Sequence, residues 1–479
     1  MEAKWKSKKN SYLGIIPIGL LQIMSVVVFA SAWIGKKVEI MFLAGLAFLI
    51  FEVVEKARDF YKNNAYILFL LSFFVFLQGR YLVNIIMTQK MLTEFSVEIA
   101  MHINLSIMLS LVSLHIGYFI AQKIKFTING HNSVGQIGVY KQSMKDVNDI
   151  ALPLFYASGF FAIISQLDIF LFVRNNSYVD YYLSYSSHVP RLLQVFGNMY
   201  VVFFLIFLCT YPKKEKCKIP IIVFVIISSL VLLTGDRGGM IQNISVLVVY
   251  CLWRQKNENE IWIRPRTIII ALLLSPVIMA LLSLFVYFRE GLDVGAFTFG
   301  VQLQRFLSIS GRSANVLGYA FEYQDIFPKQ FYTFGGIIDY LTYNPISSAL
   351  FGTVKPTPQT VDFAMNMHSF DSALSYFVYP QTYFNGHGIG SSYLAETFFD
   401  FGYMGIVIIS FVYASLLNKC ERIGTGSVTK RALMLLAIRG LFYAPRGPAL
   451  IFVTNVLNIT TIAAFALYIV ASKTRINIR

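Results

Sequence analysis

Charge is what this sequence has least of. Only 14% of its 479 residues are Asp, Glu, Lys or Arg, where a soluble domain carries about a quarter. That excludes a chain of water-soluble domains, whose surfaces need more charge to stay solvated. Cysteine is scarce as well: Cys209, Cys217, Cys251 and Cys420. None has CxxC-type spacing, which argues against a zinc site or a disulfide framework. There is no nucleotide-binding glycine loop, no DxD metal motif, no internal repeat and no low-complexity tract. No cofactor and no metal are expected.

Long apolar runs are what the sequence does have. Hydrophobic residues make up 56% of the chain, and the mean hydropathy is +0.61. Each bilayer crossing needs about 20 apolar residues. Twelve runs qualify as candidate spans: 12–34, 38–56, 65–84, 99–121, 150–173, 192–211, 219–234, 239–253, 268–288, 393–418, 432–444 and 449–471. The basic N-terminus (Lys4, Lys6, Lys8, Lys9) leads into a run that reaches Ile34 without a small-residue cleavage site, so it reads as a first span and not a removed signal. The formal net charge of +15 does not point to nucleic acid, because the basic residues sit in short loops between apolar runs.

Those loops give an orientation. With the N-terminus inside, 26 of the 40 Lys and Arg fall in inner segments, as the positive-inside rule requires. The expected fold is all-α: a polytopic transmembrane bundle with both termini cytoplasmic. Three regions follow: a bundle of nine spans over 1–288, a large extracytoplasmic loop over 289–392, and three further spans over 393–479. The loop is rich in Tyr, Phe, Gly, Pro and Ser, and so many aromatics argue for order and short helices.

The outer basic residues are nine arginines (Arg80, Arg174, Arg191, Arg237, Arg289, Arg305, Arg312, Arg439, Arg446) and only five lysines. Snorkelling accounts for any single arginine at a helix end. A face that favours the guanidinium fork over the ammonium matches phosphate oxygens, so an anionic ligand is expected there.

Four stretches carry candidate chemistry. Thr234–Gly239 (TGDRGG) lies between two short apolar runs, so the turn is expected to dip into the membrane with Arg237 at the start of the next helix. Arg289, Arg305 and Arg312 open the long loop. Asn385–Gly405 alternates glycines and then starts a helix that Ser391 or Ser392 can cap. Glu396 and Asp400 share a face of that helix, and an ionisable residue entering a membrane helix is a functional candidate. His387 is the candidate proton acceptor near neutral pH, with His368 a second histidine in the loop. Tyr443–Pro448 (YAPRGP) brings Arg446 to the same face.

The chain resembles the Wzy-type polysaccharide polymerases, which join O-antigen and capsule repeat units. TGDRGG, GHGIGSSYLAETFFDFGYMG and YAPRGP carry the likeness. The resemblance implies a GT-C-like fold in the bacterial cytoplasmic membrane, with the site facing outward. It implies undecaprenyl-diphosphate-linked oligosaccharides as donor and acceptor, and a chain-length regulator and a flippase as protein partners. Its roles carry over to Arg237 and Arg446 in the matching turns, for the diphosphate, and to Glu396 in the matching helix start; Arg289, Arg305, Arg312, Ser391 and Tyr393 are further candidate contacts to diphosphate and sugar. His387 or Glu396 is the general base. Two alternatives stay open on sequence: a flippase of lipid-linked oligosaccharides, and an O-antigen ligase.

Overall fold

The computed structural model describes residues 2–91, 94–128, 137–176, 180–181, 184–233, 237–258, 261–290, 298–421 and 427–478. Every regular element among them is helical. A backbone in lipid has no water to bond to, and a helix satisfies its polar groups within one segment.

The first half runs through α1 (Glu2–Ile34), α2 (Val38–Ala57), α3 (Asn64–Phe73), a π-helical turn (Phe74–Gln78), α4 (Gly79–Thr88), α5 (Val97–Ile128) and α6 (Ile137–Asn175). There follow α7 (Arg191–Asn198), α8 (Tyr200–Cys209), α9 (Lys214–Leu233), α10 (Arg237–Glu258) and α11 (Pro265–Glu290). The region read as a long loop holds seven short helices: α12 (Phe299–Ser310), α13 (Arg312–Glu322), α14 (Gly335–Tyr343), α15 (Pro345–Phe351), α16 (Val361–Asn366), α17 (Phe370–Val378) and α18 (Pro380–Phe384). The chain ends with α19 (Tyr393–Cys420), α20 (Val428–Leu441), a 3₁₀ turn (Ala444–Arg446), α21 (Ile451–Leu457) and α22 (Ile459–Ile478).

Helix α5 is the hub. It lies along α19 and also meets α2 and α13. Gly117 makes the approach possible: a Cβ there would stand 2.8 Å from the Phe411 carbonyl oxygen and 3.2 Å from the Ala414 Cβ. Small residues serve this purpose where membrane helices pack closely. Helix α8, YVVFFLIFLC, is apolar on every side and buried on every side.

Among the described residues, seven helical stretches are long and apolar enough to cross a bilayer by length and composition, counting α3 to α4 and α7 to α8 as one stretch each and α19 as a whole, or eight if the pair α21–α22, bent by 42°, counts as one span. The hydropathy reading expected twelve. Its candidates at 38–56, 219–234, 239–253 and 432–444 fall on the helices α2, α9, α10 and α20, which are short or carry charges such as Glu52, Lys56 and Arg439.

The tenth expected span, 393–418, is not one straight helix. Gly402 interrupts α19 with φ 61° and ψ −155°. Beyond it the chain turns back. The rings of Tyr393 and Tyr413 lie 4.8 Å apart, whereas a continuous helix would separate positions twenty apart by about 30 Å. Ser110 of α5 bonds both strokes of the hairpin, Tyr393 Oη at 2.7 Å and Ser410 Oγ at 2.9 Å. The stroke from Tyr393 to Phe401 rises about 14 Å. The loop before it, GHGIGSS, therefore lies well below the Gly402 tip, where Phe401 and Met404 are exposed. Irregular backbone at such depth is tolerated only against protein or a hydrated cavity.

The Gly402 dihedrals belong to a region essentially reserved for glycine, and nothing lies within 4 Å of a Cβ added there. The cost of Gly402→Ala is therefore backbone strain alone, about 1–3 kcal/mol. It should lower the melting temperature of the detergent-solubilised protein; an unchanged melting temperature would contradict the break.

Candidate functional site

The deep loop lines a cavity of about 1310 Å³. The bundle contributes Leu68, Leu71 and Val75 on α3 and the π-turn and Ile278, Met279 and Leu282 on α11, with Ser72, Gln242 and Ser275 among them. The short helices, the glycine loop and the last turn contribute Arg312, Asp371, Ser375, His387, Ser391 and Arg446. A cavity of this mixed lining suits an amphiphile with an apolar chain and a polar head.

Three arginines enter the wall. Arg80 follows the π-turn, an irregularity often found at functional sites. It donates to Glu94 at 2.9 Å and to the Ser308 carbonyl at 3.1 Å. The junction of α12 and α13 reaches it because Gly311 has no side chain; a Cβ there would stand 2.8 Å from the Arg80 nitrogen. The next residue, Arg312, is exposed in the wall. Arg446 donates to the Ser310 carbonyl at 3.2 Å, with its guanidinium 5.7 Å from the centre of the Phe76 ring. A guanidinium has five N–H donors, so most of those on Arg446 are left to face the cavity.

Glycines shape the loop itself. Gly390 has φ 85°, which favours glycine. At Gly388 a Cβ would stand 2.8 Å from Asp371 Oδ1, so the loop closes over α17 only without a side chain there. The contact is then sealed by hydrogen bonds. Gly390 N donates to Asp371 Oδ1 at 2.8 Å, and Ile389 N donates to Ser375 Oγ at 3.0 Å. Burial holds the Asp371 carboxyl above its ordinary range, against the opposing pull of the Gly390 amide, the Ser375 hydroxyl and Arg446. In the lining, Tyr319 and Tyr379 share a hydroxyl contact of 2.9 Å, and burial pushes the Tyr383 phenol up to about 12.

Of the residues singled out from sequence, His387, Ser391, Arg312 and Arg446 come together in the wall. Arg305 on α12, Glu396 and Tyr393 lie outside it. Tyr393 is fully buried against α5. Ser392 holds the N-cap position of α19 without a side-chain bond, and the Ser391 hydroxyl instead donates to Glu396 Oε1 at 2.6 Å. The other oxygen, Glu396 Oε2, accepts from the Ala449 amide at 2.7 Å. Glu396 thus ties the deep loop to the turn that carries Arg446. Thr234, Gly235 and Asp236, and the side chains of Arg237 and Arg289, lie outside the described residues; Gly238, one position on from Arg237, is in the wall. His368 pairs with Asp339 at 2.9 Å and stays outside it.

Sequence reasoning missed Asp371 altogether and did not select Arg80 for the site. A lone arginine within an apolar run was the available signal for Arg80; for Asp371 there was only the acid itself. Among the described residues, Glu52, Glu55 and His115 have the spacing to hold a metal ion. They sit on α2 and α5, away from the cavity, and the Lys56 ammonium is already 2.8 Å from Glu55.

Helices of this length and apolarity around a half-polar cavity define a polytopic helical membrane protein. The chain belongs to the family of the O-antigen polysaccharide polymerase Wzy, whose family model matches residues 15–477. That membership implies a polymerase of the glycosyltransferase kind. Comparison with curated proteins and with solved structures gave no match.

The clamp is testable apart from chemistry. A glutamine at 396 can still accept from Ala449 N and donate to Ser391, whereas alanine strands a buried amide at a cost of about 1–3 kcal/mol. Glu396→Gln should keep most of the polymer made by cells, and Glu396→Ala should lose both polymer and thermal stability. Loss of polymer in Glu396→Gln with full stability would mean that this carboxylate itself takes part in the reaction.

Proposed function

We propose that the protein joins lipid-linked oligosaccharide repeat units on the outer face of the cytoplasmic membrane. The donor sugar is carried on undecaprenyl diphosphate, and the lipid diphosphate is the leaving group. The observation that supports this most is the entry of Arg80, Arg312 and Arg446 into one half-apolar cavity, in a chain of the polymerase family.

The chemistry follows from the leaving group. As the anomeric C–O bond breaks, negative charge collects on the terminal phosphate. Arg312 and Arg446, which line the cavity, would receive it, with Arg237 and Arg289 as the further donors proposed from sequence. Preorganised donors in a site shielded from water are effective because they need no reorganisation when the charge appears, and losing one typically costs about 10²–10³ in rate. The Leu71–Val75 and Ile278–Leu282 wall would lie along the isoprenoid chain. Tyr319, Tyr379 and Tyr383 would stack on sugar rings and exclude water. Energy comes from the diphosphate ester, so the reaction needs no nucleotide. A chain-length regulator and a flippase would act beside it.

Arg446→Ala should reduce surface polysaccharide from a long ladder to single, still displayed repeat units on a gel. Complete loss of displayed sugar would instead indicate a flippase. Single units together with an intact unattached long polymer would indicate a ligase.

A further inference from the structure

The acceptor hydroxyl has to lose a proton, and the wall holds three groups able to take it, Glu94, His387 and Asp371; both Glu94 oxygens already accept hydrogen bonds, from Arg80 and Asn315. Resting on the polymerase reading above, we propose that Asp371 is the catalytic base, acting through Oδ2 on the acceptor hydroxyl.

The geometry distinguishes its two oxygens. Oδ1 is committed, accepting from Gly390 N at 2.8 Å and Ser375 Oγ at 3.2 Å. Oδ2 accepts no hydrogen bond from the described residues, while the residue lines the cavity. One oxygen therefore fixes the carboxylate and the other is left for substrate. The glycine facing it makes this possible. Gly388 puts bare backbone over both oxygens: a Cβ there would stand 2.8 Å from Oδ1 and 3.3 Å from Oδ2, crowding the atom left for substrate. The mounting is also rigid: Asp371 lies in the first turn of α17, and Ser375, one turn on, holds the loop through Ile389 N.

The charged and titratable groups around it are Arg446 from the late turn, Glu396 from α19, Tyr383 from α18 and His387 from the loop. Arg446 favours the ionised carboxylate; burial opposes it more strongly, and the carboxyl sits above the ordinary aspartate range. A carboxylate raised in this way is a better base near neutral pH. Arg446 would then touch both halves of the reaction, the departing diphosphate and the base.

The step balances. The acceptor oxygen bonds to the anomeric carbon as its proton passes to Asp371 Oδ2. The anomeric C–O bond to the diphosphate breaks, and its electron pair leaves on the lipid diphosphate. Asp371 then releases the proton to water through the cavity.

The test uses the full-length protein purified in detergent, with a lipid-linked repeat unit as substrate. Asp371→Asn should lower kcat by about 10²–10⁴ with little change in KM. In the wild type, kcat/KM should fall as the pH drops through a pKa above the usual aspartate range, because the base must be ionised. That acid limb should vanish in Asp371→Asn and persist in His387→Gln, whatever the latter's rate. Wild-type kcat in Asp371→Asn, or an acid limb abolished by His387→Gln instead, would overturn the assignment. Should Asp371→Asn fail to fold, Asp371→Glu keeps the charge but moves it; wild-type kcat there would equally overturn it. If the wild type makes no polymer at all, the polymerase reading fails, which is a separate result.

Discussion

A single buried carboxyl group joins the two segments on which the cavity depends. Glu396 is 2% exposed, and each of its oxygens accepts one hydrogen bond: from Ser391, at the end of the glycine loop, and from Ala449, just past the turn that carries Arg446. A polar group this deep is costly unless satisfied. Satisfied on both sides, it fixes two irregular segments against each other where neither helix packing nor backbone ladders would do so. Arg446 and the His387 loop come from parts of the chain more than fifty residues apart, and this contact sets their separation.

The position of that clamp follows from the break at Gly402. Because the chain reverses there, α19 supplies two antiparallel strokes, and the first carries Glu396 and the loop inward. A straight span would have left GHGIGSS at the membrane surface. The reversal lowers it beside α3, α11 and the π-turn, which contribute apolar side chains to the lining. Lipid and charge can then be received side by side. On the proposed reading, this one place accommodates isoprenoid, diphosphate and carbohydrate together.

Much of this was legible in the sequence, and the gaps have identifiable causes. Long apolar runs gave the helical membrane architecture, and the helices of the 289–392 region were foreshadowed by its aromatics. The segment from Asn385 to Gly405 pointed to the loop and helix that line and brace the cavity. The hairpin was not legible, because 393–420 is apolar on both sides of the break and hydropathy does not record a change of direction. Only Gly402 marked it, among many glycines. Arg80 was counted among the outer arginines, but nothing in the apolar run around it set it apart from a snorkelling residue at a helix end. Asp371 stood alone in sequence, and its partners Gly390 and Ser375 come to it through the folding of the loop over α17. Tyr393 and Glu396 were singled out on motif, and a motif does not carry the contacts that place Tyr393 against α5 and Glu396 between Ser391 and Ala449.

The most direct test is a cryo-electron microscopy map of the protein in a lipid nanodisc with undecaprenyl diphosphate. The expected result is diphosphate density between Arg312 and Arg446, isoprenoid density along Leu71 and Ile278, and Glu396 still bridging Ser391 and Ala449. Diphosphate density elsewhere on the protein, with this cavity holding only water, would contradict the account.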